Sequence, residues 1–483
     1  MKVCLIDPPI AHEQIYGEWD LSALETYCPP LGLLSLAAWL RKHGHEPSVL
    51  DLSTLKWSVE DAATHVLKER PGLVGLSART INISNAARLA SLLKEGGYPG
   101  PVVVGGPHMT AVPVPTLERF ASIDYGVVGE GELTLLELAE RLGAGRALDD
   151  VPGVVCRDPA GAVRVNPARP LIQDLDELPL PAWDLLPDFP RAYPHSALET
   201  KRLPAASIMT SRGCPFHCTF CDSLVFGRSV RTHSAAYTLD MIRHLRKRYG
   251  IRDLMMLDDN FILRQERLFE ICDTMIAERM GLKWYCMGHA NLMTEPRLRR
   301  IREAGCWIIE MGIESGCDRV LKHIKKKTTK AEIAAAVARA RAAGLKVKGN
   351  FIFGFPTETR ESLEETIRFA TGIGLSFFQQ NYLTVWPGCE IALDAERYGR
   401  CERDWDRLAH QRITFVPHDL TEADLERASK DSFRRFYLRP PVMLEFAASM
   451  TSWRAIRTLL TGLATFVQTA FARKATRGTA GSS

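Results

Sequence analysis

Two long stretches of this chain alternate short apolar segments with helical patterns, and this alternation restricts the possible folds more than any other feature. The first stretch covers residues 1–145, and the second begins at Ala205 and ends near Gly388. Apolar strands that alternate with helices predict parallel sheets covered on both faces. We therefore expect an α/β protein with a doubly wound N-terminal domain at 1–145 and a second α/β domain at 204–395.

The segments outside these two domains have a different composition. Residues 146–203 are rich in proline and acidic side chains. Proline at this density prevents regular helix, so we expect an extended connector that runs over the surface. Residues 396–483 are helical in pattern, with apolar residues at helical spacing between Leu444 and Ala470. We expect this region to pack on the second domain and to end in a disordered tail; the alternative is an interfacial helix in peripheral contact with a membrane.

Composition and charge exclude several classes of protein. The formal net charge is +4 over 483 residues, which gives no reason to expect nucleic acid as a partner. No uncharged segment is long enough to span a bilayer, so we expect no transmembrane segment. The 12 cysteines are scattered except for one group, and Lys2 leads directly into a strand-like segment. This pattern predicts reduced thiols and a cytoplasmic location.

The one group of cysteines is Cys214, Cys218 and Cys221, with the spacing C-x3-C-x2-C. It follows the apolar segment 205–209, so the thiolates should lie at the carboxyl end of a strand. Three thiolates can hold three irons of a 4Fe-4S cluster and leave the fourth iron open to a small molecule. A structural zinc site is the alternative, but it normally needs a second pair of ligands, and no such pair occurs in the chain.

With Phe220 before the third cysteine, the motif resembles that of the radical S-adenosylmethionine (SAM) superfamily. The resemblance implies that the second domain is a partial (β/α)6 barrel whose candidate strands are 205–209, 253–257, 283–287, 307–312, 347–353 and 377–385. It also implies that SAM binds the open iron. An electron from the cluster then cleaves SAM to methionine and a 5′-deoxyadenosyl radical, which abstracts hydrogen from an unactivated carbon.

The same resemblance suggests SAM contacts at the ends of the barrel strands. Carboxylates after the second strand would meet the SAM amino group, although a helix cap is an equal alternative for each residue there. The E-x-G-x-E-S pattern at the fourth strand would form hydrogen bonds with polar groups of SAM, and the loop after the fifth strand, which resembles G-x-P-x-E-T, would lie over the adenosine. His289 is expected to orient SAM or to pack, with substrate acid–base chemistry as the alternative. The predicted SAM contacts are Phe220, Asp258, Asp259, Asn260, Glu310, Glu314, Ser315, Asn350 and Glu358.

Glycine-rich loops follow the strands of the N-terminal domain, and glycine there lets a large flat ligand approach the backbone closely. The segments G-G-P-H-M-T and G-E-G-E, each after an apolar strand, resemble the cobalamin-binding domain that precedes many radical SAM barrels. A D-x-H-x-x-G motif is absent, so the resemblance implies cobalt without a histidine ligand from that loop. His108 is expected to pack beside the corrin; the alternative is a cobalt ligand. The predicted cobalamin contacts are Pro8, Ser77, Thr80, Gly105, Gly106, Pro107, His108, Gly129, Glu130, Gly131 and Glu132.

The two resemblances together imply a cobalamin-dependent radical SAM enzyme with a 4Fe-4S cluster, SAM and cobalamin as cofactors. Its commonest activity in such relatives is C-methylation of an unactivated carbon. One alternative is a non-methylating enzyme that resembles the anaerobic oxidative cyclase of bacteriochlorophyll synthesis, and another is a cobalamin-binding redox sensor without catalysis. The implied partners are a small-molecule substrate, such as a tetrapyrrole, a natural product or a lipid-like compound, and an electron donor such as flavodoxin or ferredoxin.

Overall fold

The computed structural model describes residues 1–10, 27–196 and 199–449, and its N-terminal domain is built on a seven-stranded sheet. The strand order is β2-β1-β3-β4-β5-β6-β7, and the first five strands are parallel. The strands are β1 (Lys2–Asp7), β2 (Glu46–Asp51), β3 (Leu73–Ser77), β4 (Val102–Gly105), β5 (Tyr125–Val127), β6 (Val154–Arg157) and β7 (Val163–Val165). The helices are α1 (Leu31–Lys42), α2 (Leu52–Leu55), α3 (Val59–Glu69), α4 (Ile83–Glu95), α5 (Pro107–Ala111), α6 (Pro113–Arg119) and α7 (Glu132–Gly143). The predicted doubly wound sheet is confirmed.

The N-terminal domain extends further along the chain than we predicted. β6 and β7 were expected to belong to the connector, but they join the sheet as antiparallel strands beyond β5. The valine-rich strands are joined by a turn in which the Asp158 side chain accepts bonds from the amides of Ala160 and Ala162, both at 2.9 Å. The sheet therefore extends to Val165. The β6–β7 hairpin covers the edge of β5, which would otherwise be exposed.

The connector that follows is largely buried and does not run over the surface. Trp183 and Tyr193 are each 1% exposed, and Leu175 is completely buried. These side chains lie in one continuous apolar core that includes residues of both α1 and β8 (Ala205–Ile208). The prediction of a surface connector is therefore wrong, because its apolar residues fill the space between the two domains.

The second domain contains six parallel strands in the order β15-β14-β13-β12-β11-β8, which confirms the predicted six-stranded unit. A short antiparallel pair, β9 (Ser211–Arg212) and β10 (Arg231–Thr232), lies apart from this sheet. The remaining strands are β11 (Asp253–Met256), β12 (Lys283–Met287), β13 (Cys306–Glu314), β14 (Lys346–Phe353) and β15 (Phe377–Tyr382). The helices are α8 (Ala235–Tyr249), α9 (Gln265–Ala277), α10 (Glu295–Glu303), α11 (Asp318–His323), α12 (Lys330–Ala342) and α13 (Arg360–Gly372).

The C-terminal region is not helical throughout, contrary to the prediction. It contains an antiparallel pair, β16 (Gly399–Cys401) and β17 (Phe415–Pro417), followed by α14 (Glu422–Tyr437) and α15 (Pro440–Ser449). Between the two strands, Trp405 packs against the N-terminal domain. In the part of the chain that the structure describes, no helix is long and apolar enough to cross a membrane. Most of the predicted helix from Leu444 to Ala470 lies outside the described residues.

Candidate cofactor site

The three cysteines of the C-x3-C-x2-C motif lie in a loop, here termed the cluster loop (213–221), directly after β9. Gly213 begins it at φ +89°, and a Cβ on this residue would lie 2.5 Å from the carbonyl oxygen of Ser229. Glycine is therefore required for the chain to leave the β9–β10 pair at this point. The amide of Cys221 donates to the carbonyl of Cys218 at 3.2 Å, which turns the second half of the loop.

The environment of the thiols fits a metal cluster. Burial raises the pKa of Cys221 to about 12, with further increases from the nearby Cys218, Asp259 and Cys214. Burial likewise raises the pKa of the other two thiols. Three closely spaced thiolates are therefore unfavourable here unless a cation compensates their charge, as bound iron would.

The three thiols do not form a site for a single metal ion. Across residues 1–10, 27–196 and 199–449, no three His, Cys, Asp or Glu side chains are arranged to hold one ion. One iron per thiol, as in a 4Fe-4S cluster, fits this arrangement better than a single zinc ion.

Asn260 and His289 lie against the first cysteine. The Asn260 amide nitrogen is 3.6 Å from Cys214 Sγ, and its oxygen accepts from the His289 amide at 2.8 Å. The His289 ring stacks on Phe216 of the cluster loop with centroids 3.9 Å apart. Burial and the adjacent Lys326 lower the pKa of His289 to about 4, so its imidazole is neutral at pH 7. His289 is thus a packed residue that supports the loop.

Lys326 is a buried cation beside the thiols that the sequence analysis missed. Its Nζ is 2.8 Å from Glu314 Oε1, and both side chains are less than 10% exposed. Burial by itself would lower the pKa of Lys326, but Glu314 and the thiolate of Cys218 raise it above its usual value. The residues on either side, Lys325 and Lys327, have φ of +56° and +59°, so the backbone is strained to place this lysine. The three consecutive lysines were the only available signal.

Three of the predicted SAM contacts, Asp258, Ser315 and Glu358, have completely buried side chains that bind the protein's own loops, and their contact with SAM stays a prediction. Asp258 Oδ1 accepts from the Thr210 amide and hydroxyl, both at 3.0 Å, and from the Ser211 hydroxyl. It therefore fixes the turn between β8 and β9. This is not the helix cap that we considered as the alternative for this residue.

Ser315 and Glu358 support the loops after β13 and β14. The Ser315 hydroxyl lies 3.2 Å from that of Thr366 and accepts from the amide of Cys317 at 3.2 Å. Glu358 Oε2 accepts from the amides of Gly354 and Phe355 at 2.6 and 3.2 Å. Burial raises the pKa of Glu358 to about 8, although those amides oppose the shift.

The interior of the barrel contains a chain of polar side chains. The Asn350 amide nitrogen donates to Glu310 Oε1 at 2.5 Å, and Lys348 Nζ lies 3.4 Å from Glu310 Oε2 and 3.1 Å from Glu199 Oε1. Glu310 and Asn350 remain predicted SAM contacts, as do Glu314, Asp259, Asn260 and Phe220. Lys348 and Glu199 were missed. The alternation of polar and apolar residues along β14 was the signal for Lys348, because alternate residues face the same side of a strand.

The carboxyl edge of the N-terminal sheet carries most of the predicted cobalamin contacts. The Pro8 carbonyl accepts from the Asn82 side chain at 2.9 Å, which holds the loop after β1 against the start of α4. Ser77 and Gly105 pair at the ends of β3 and β4, and Pro107 begins α5. Gly129 lies at φ +79°, and a Cβ there would meet nothing within 4 Å in the described residues. This open, glycine-lined edge fits a large flat ligand.

His108 is a packed residue rather than a side chain that reaches outward. It is completely buried, its Nδ1 lies 3.1 Å from the Thr80 hydroxyl, and its ring meets Trp405 edge-on with centroids 4.4 Å apart. Burial, with a contribution from Arg119, lowers the pKa of His108 to about 4. Its Nε2 has no hydrogen-bond partner among the residues that the structure describes. The C-terminal region thus helps to build this edge of the N-terminal sheet.

The carboxylates of Glu130 and Glu132, which we predicted as cobalamin contacts, bind arginine side chains of the second domain. Both are buried in ion pairs with arginines of the β9–β10 pair, at 2.7 Å for Glu130 with Arg212 and 2.6 Å for Glu132 with Arg212. Arg231 pairs with Glu130 at 2.8 Å. Guanidinium groups bind the oxygens of both carboxylates, and a contact of these two residues with cobalamin stays a prediction.

The sequence matches two family models. The Radical SAM superfamily model matches residues 208–370, and the B12 binding domain model matches residues 20–139.

Several proteins of known name are similar over most of their length. An uncharacterized methyltransferase of Pyrococcus horikoshii is 33% identical over 449 residues, which cover 92% of this chain and 94% of that protein. Cytidylyl-2-hydroxyethylphosphonate methyltransferase of Streptomyces wedmorensis is 30% identical over 77% of this chain and 78% of its own length. Anaerobic magnesium-protoporphyrin IX monomethyl ester cyclase of Rubrivivax gelatinosus is 26% identical over 98% and 84%.

Two solved structures share the fold over nearly the whole chain. The radical S-adenosylmethionine methyltransferase TsrM of Kitasatospora setae, with tryptophan and aza-SAM bound, superposes with a TM-score of 0.71 at 20% identity and covers 97% of both chains. The cobalamin-dependent S-adenosylmethionine radical enzyme OxsB superposes with a TM-score of 0.73 at 18% identity, covering 98% of this chain and 73% of that one. The chain belongs to the family of cobalamin-dependent radical SAM enzymes.

Proposed function

We propose that this enzyme is a C-methyltransferase that acts on an unactivated carbon of a small molecule. The observation that carries the proposal is that the cluster loop and the predicted cobalamin-binding edge of the N-terminal sheet are joined by ion pairs. Arg212 lies two residues before Cys214 and pairs with Glu130, between the end of β5 and the start of α7, and with Glu132, the first residue of α7. The thiols of the barrel and the glycine-lined edge of the N-terminal sheet therefore belong to one interface. A reaction that needs both cofactors at one substrate requires such an arrangement.

The cofactors supply the difficult chemistry when they are bound: the cluster provides the electron that cleaves SAM, and cobalamin carries the methyl group. The protein holds and orients them. Cys214, Cys218 and Cys221 would hold three irons, with the Lys326–Glu314 pair beside them. Glu310 and Asn350 offer a carboxylate and an amide for the polar groups of SAM on the inner side of the strands.

The relatives favour methyl transfer over the alternative reaction. The two relatives described above that are at least 30% identical over the aligned residues are both named as methyltransferases. The cyclase is less similar, but it covers 98% of this chain, so non-methylating oxidative chemistry is the second candidate. We further propose an external one-electron donor such as flavodoxin or ferredoxin, and a cytoplasmic location. The absence of any disulfide among the 12 cysteines supports reducing surroundings.

The decisive experiment uses the anaerobic holoprotein, reduced, with SAM labelled on its methyl carbon. We expect label to move to cobalamin with an equal amount of S-adenosylhomocysteine. Deoxyadenosine without any transfer of label would contradict the methyltransferase proposal and favour the cyclase-like reaction. The Cys218→Ala variant is the matched control, because it should lose SAM cleavage.

A further inference from the structure

We propose that Glu130 is a positioning residue that sets the placement of bound cobalamin relative to the iron–sulfur cluster. It does so through a group of four buried charges, Glu130, Glu132, Arg212 and Arg231, here termed the charge junction. The inference rests on the proposed function in one respect, since it requires that both cofactors bind to this protein. It concerns how the chain holds them and not which reaction they perform.

The charge junction is buried and closely bonded. Arg212 reaches both glutamates, with Nη1 2.7 Å from Glu130 and Nη2 2.6 Å from Glu132, and Arg231 Nη1 lies 2.8 Å from Glu130. No side chain of the four is more than 8% exposed. The two positive and two negative charges balance, so the group as a whole needs no further counter-ion.

Each member is fixed to a part of the chain that borders a predicted cofactor. Arg212 and Arg231 face each other as partners in the β9–β10 pair, and Arg212 is two residues from Cys214. Glu130 follows Gly129, the residue of the N-terminal edge with open space beside it. A single ion pair, Arg212 with Glu130, therefore links the chain segment before Cys214 to the residue that follows Gly129.

Further hydrogen bonds hold the glutamates in place from outside the junction. The amide of Ile172 in the connector donates to Glu130 Oε2 at 2.8 Å, and the Ile172 carbonyl accepts from Arg231 at 2.7 Å. The Ser35 hydroxyl on α1 donates to Glu132 Oε1 at 2.8 Å. Both domains and the connector thus converge on the same carboxylates.

A junction of this kind contributes geometry more than stability. The apolar core that runs through the connector already joins the two domains, and buried ion pairs are poor sources of net stabilisation because of desolvation. A planar guanidinium bound to two carboxylates, by contrast, fixes direction as well as distance. Glu130 is the member bound by both arginines, so it is the residue whose charge should matter most.

The test measures the cofactors and not turnover. The holoprotein is prepared with cobalamin as Co(II) and with the cluster reduced, and the magnetic coupling between the two is measured by EPR. Glu130→Gln keeps the side-chain shape. We expect this variant to show a weaker magnetic coupling than the wild type, with a wider distribution of coupling values, while its iron and cobalamin contents stay at wild-type levels. A residue that merely stabilised the fold would lower the contents or the melting temperature and leave the coupling of the loaded protein unchanged.

Asp184→Asn is the matched control, since Arg41 and Asp184 form an exposed two-bond pair between α1 and the connector. It should leave the coupling unchanged. If Glu130→Gln does not fold, Arg231→Lys keeps the charge but loses the planar fork, and the same change in coupling is expected. Wild-type coupling in a fully loaded junction variant overturns the inference. Failure of the wild type to bind cobalamin overturns the proposed function as well, whereas failure of label transfer alone leaves the inference intact.

Discussion

Two glycines at the predicted cobalamin edge, Gly106 and Gly129, should respond differently to the same substitution. Both have positive φ, +100° and +79°. A Cβ on Gly106 would lie 2.8 Å from the carbonyl oxygen of Ala78, whereas one on Gly129 would meet no other atom of the described chain within 4 Å. Alanine at Gly106 should therefore affect folding, and alanine at Gly129 should affect the ligand.

The cost at Gly106 follows from its backbone. Its φ of +100° and ψ of −172° lie in a region that is essentially restricted to glycine, and other residues pay about 1–3 kcal/mol there. The new methyl would also displace Ala78, whose amide donates to Gly105 at 2.8 Å and whose carbonyl accepts from His108 at 3.1 Å. With each such bond worth about 1 kcal/mol, we expect Gly106→Ala to lower the free energy of unfolding of the N-terminal domain by about 3–5 kcal/mol.

Gly129→Ala should cost only about 1 kcal/mol in stability, because the strain there is not accompanied by a collision. Its methyl would enter the space predicted for the corrin. We expect cobalamin to bind about tenfold more weakly, a loss of about 1.4 kcal/mol. Urea unfolding of both variants and absorbance titration with cobalamin test these expectations. The reasoning is refuted if Gly129→Ala unfolds as easily as Gly106→Ala, or if it binds cobalamin as tightly as the wild type.

Three further variants test the barrel side of the site. Cys218→Ala should lose most of the bound iron and all SAM cleavage; iron-dependent cleavage in this variant would contradict the cluster assignment. Lys326→Met should destabilise the barrel by about 3–5 kcal/mol, because it leaves Glu314 buried without its partner, and should make the cluster potential more negative by removing a nearby positive charge. Lys325→Met, which removes an exposed pair, is its control in unfolding and redox titrations, and equal effects would refute a special role for Lys326. Burial raises the pKa of Glu358 from 4.5 in the unfolded chain to about 8 in the folded protein. The free energy of unfolding of the wild type should therefore be highest below pH 4.5 and should fall as pH rises from 4.5 to about 8. Glu358→Gln should therefore gain stability relative to the wild type by at most about 1.4 kcal/mol per pH unit across that window, and a constant difference between the two proteins would show that Glu358 does not titrate there.

The local chemistry of this protein could be predicted from short motifs because adjacent residues decide it. The spacing of Cys214, Cys218 and Cys221 places three thiols in one loop whatever the surrounding fold. The strand–helix alternation predicts parallel sheets, since each apolar strand needs cover on both faces. Gly106 and Gly129 were predicted to let a flat ligand approach the backbone, and the structure places both at positive φ.

The partners of other candidate residues could not be predicted, because they depend on which distant residue the fold brings near. Glu130 and Glu132 resemble ligand contacts in the sequence, yet Arg212 and Arg231, about 80 and 100 positions away, occupy their carboxylates. Asp258 follows a strand as a SAM contact would, but Thr210 and Ser211 bind it internally. A motif shows which side chain stands at a position, but the residue that binds this side chain depends on the tertiary fold.

The sequence by itself determined the two-domain α/β architecture and the cluster motif, because periodicity and local spacing carry that information, and its resemblance to a known family implied SAM and cobalamin. Only the tertiary structure decided that the connector is a buried link, that Lys326 stands beside the thiols, and that Trp405 from the C-terminal region packs on His108. It also decided that the charge junction joins the β9–β10 pair, next to the cluster loop, to the edge of the N-terminal sheet. These features arise from contacts between residues far apart in the chain. Burial is the physical reason, because a charged or polar group removed from water costs free energy unless it has a partner, and the fold determines which residue lies near enough to be that partner.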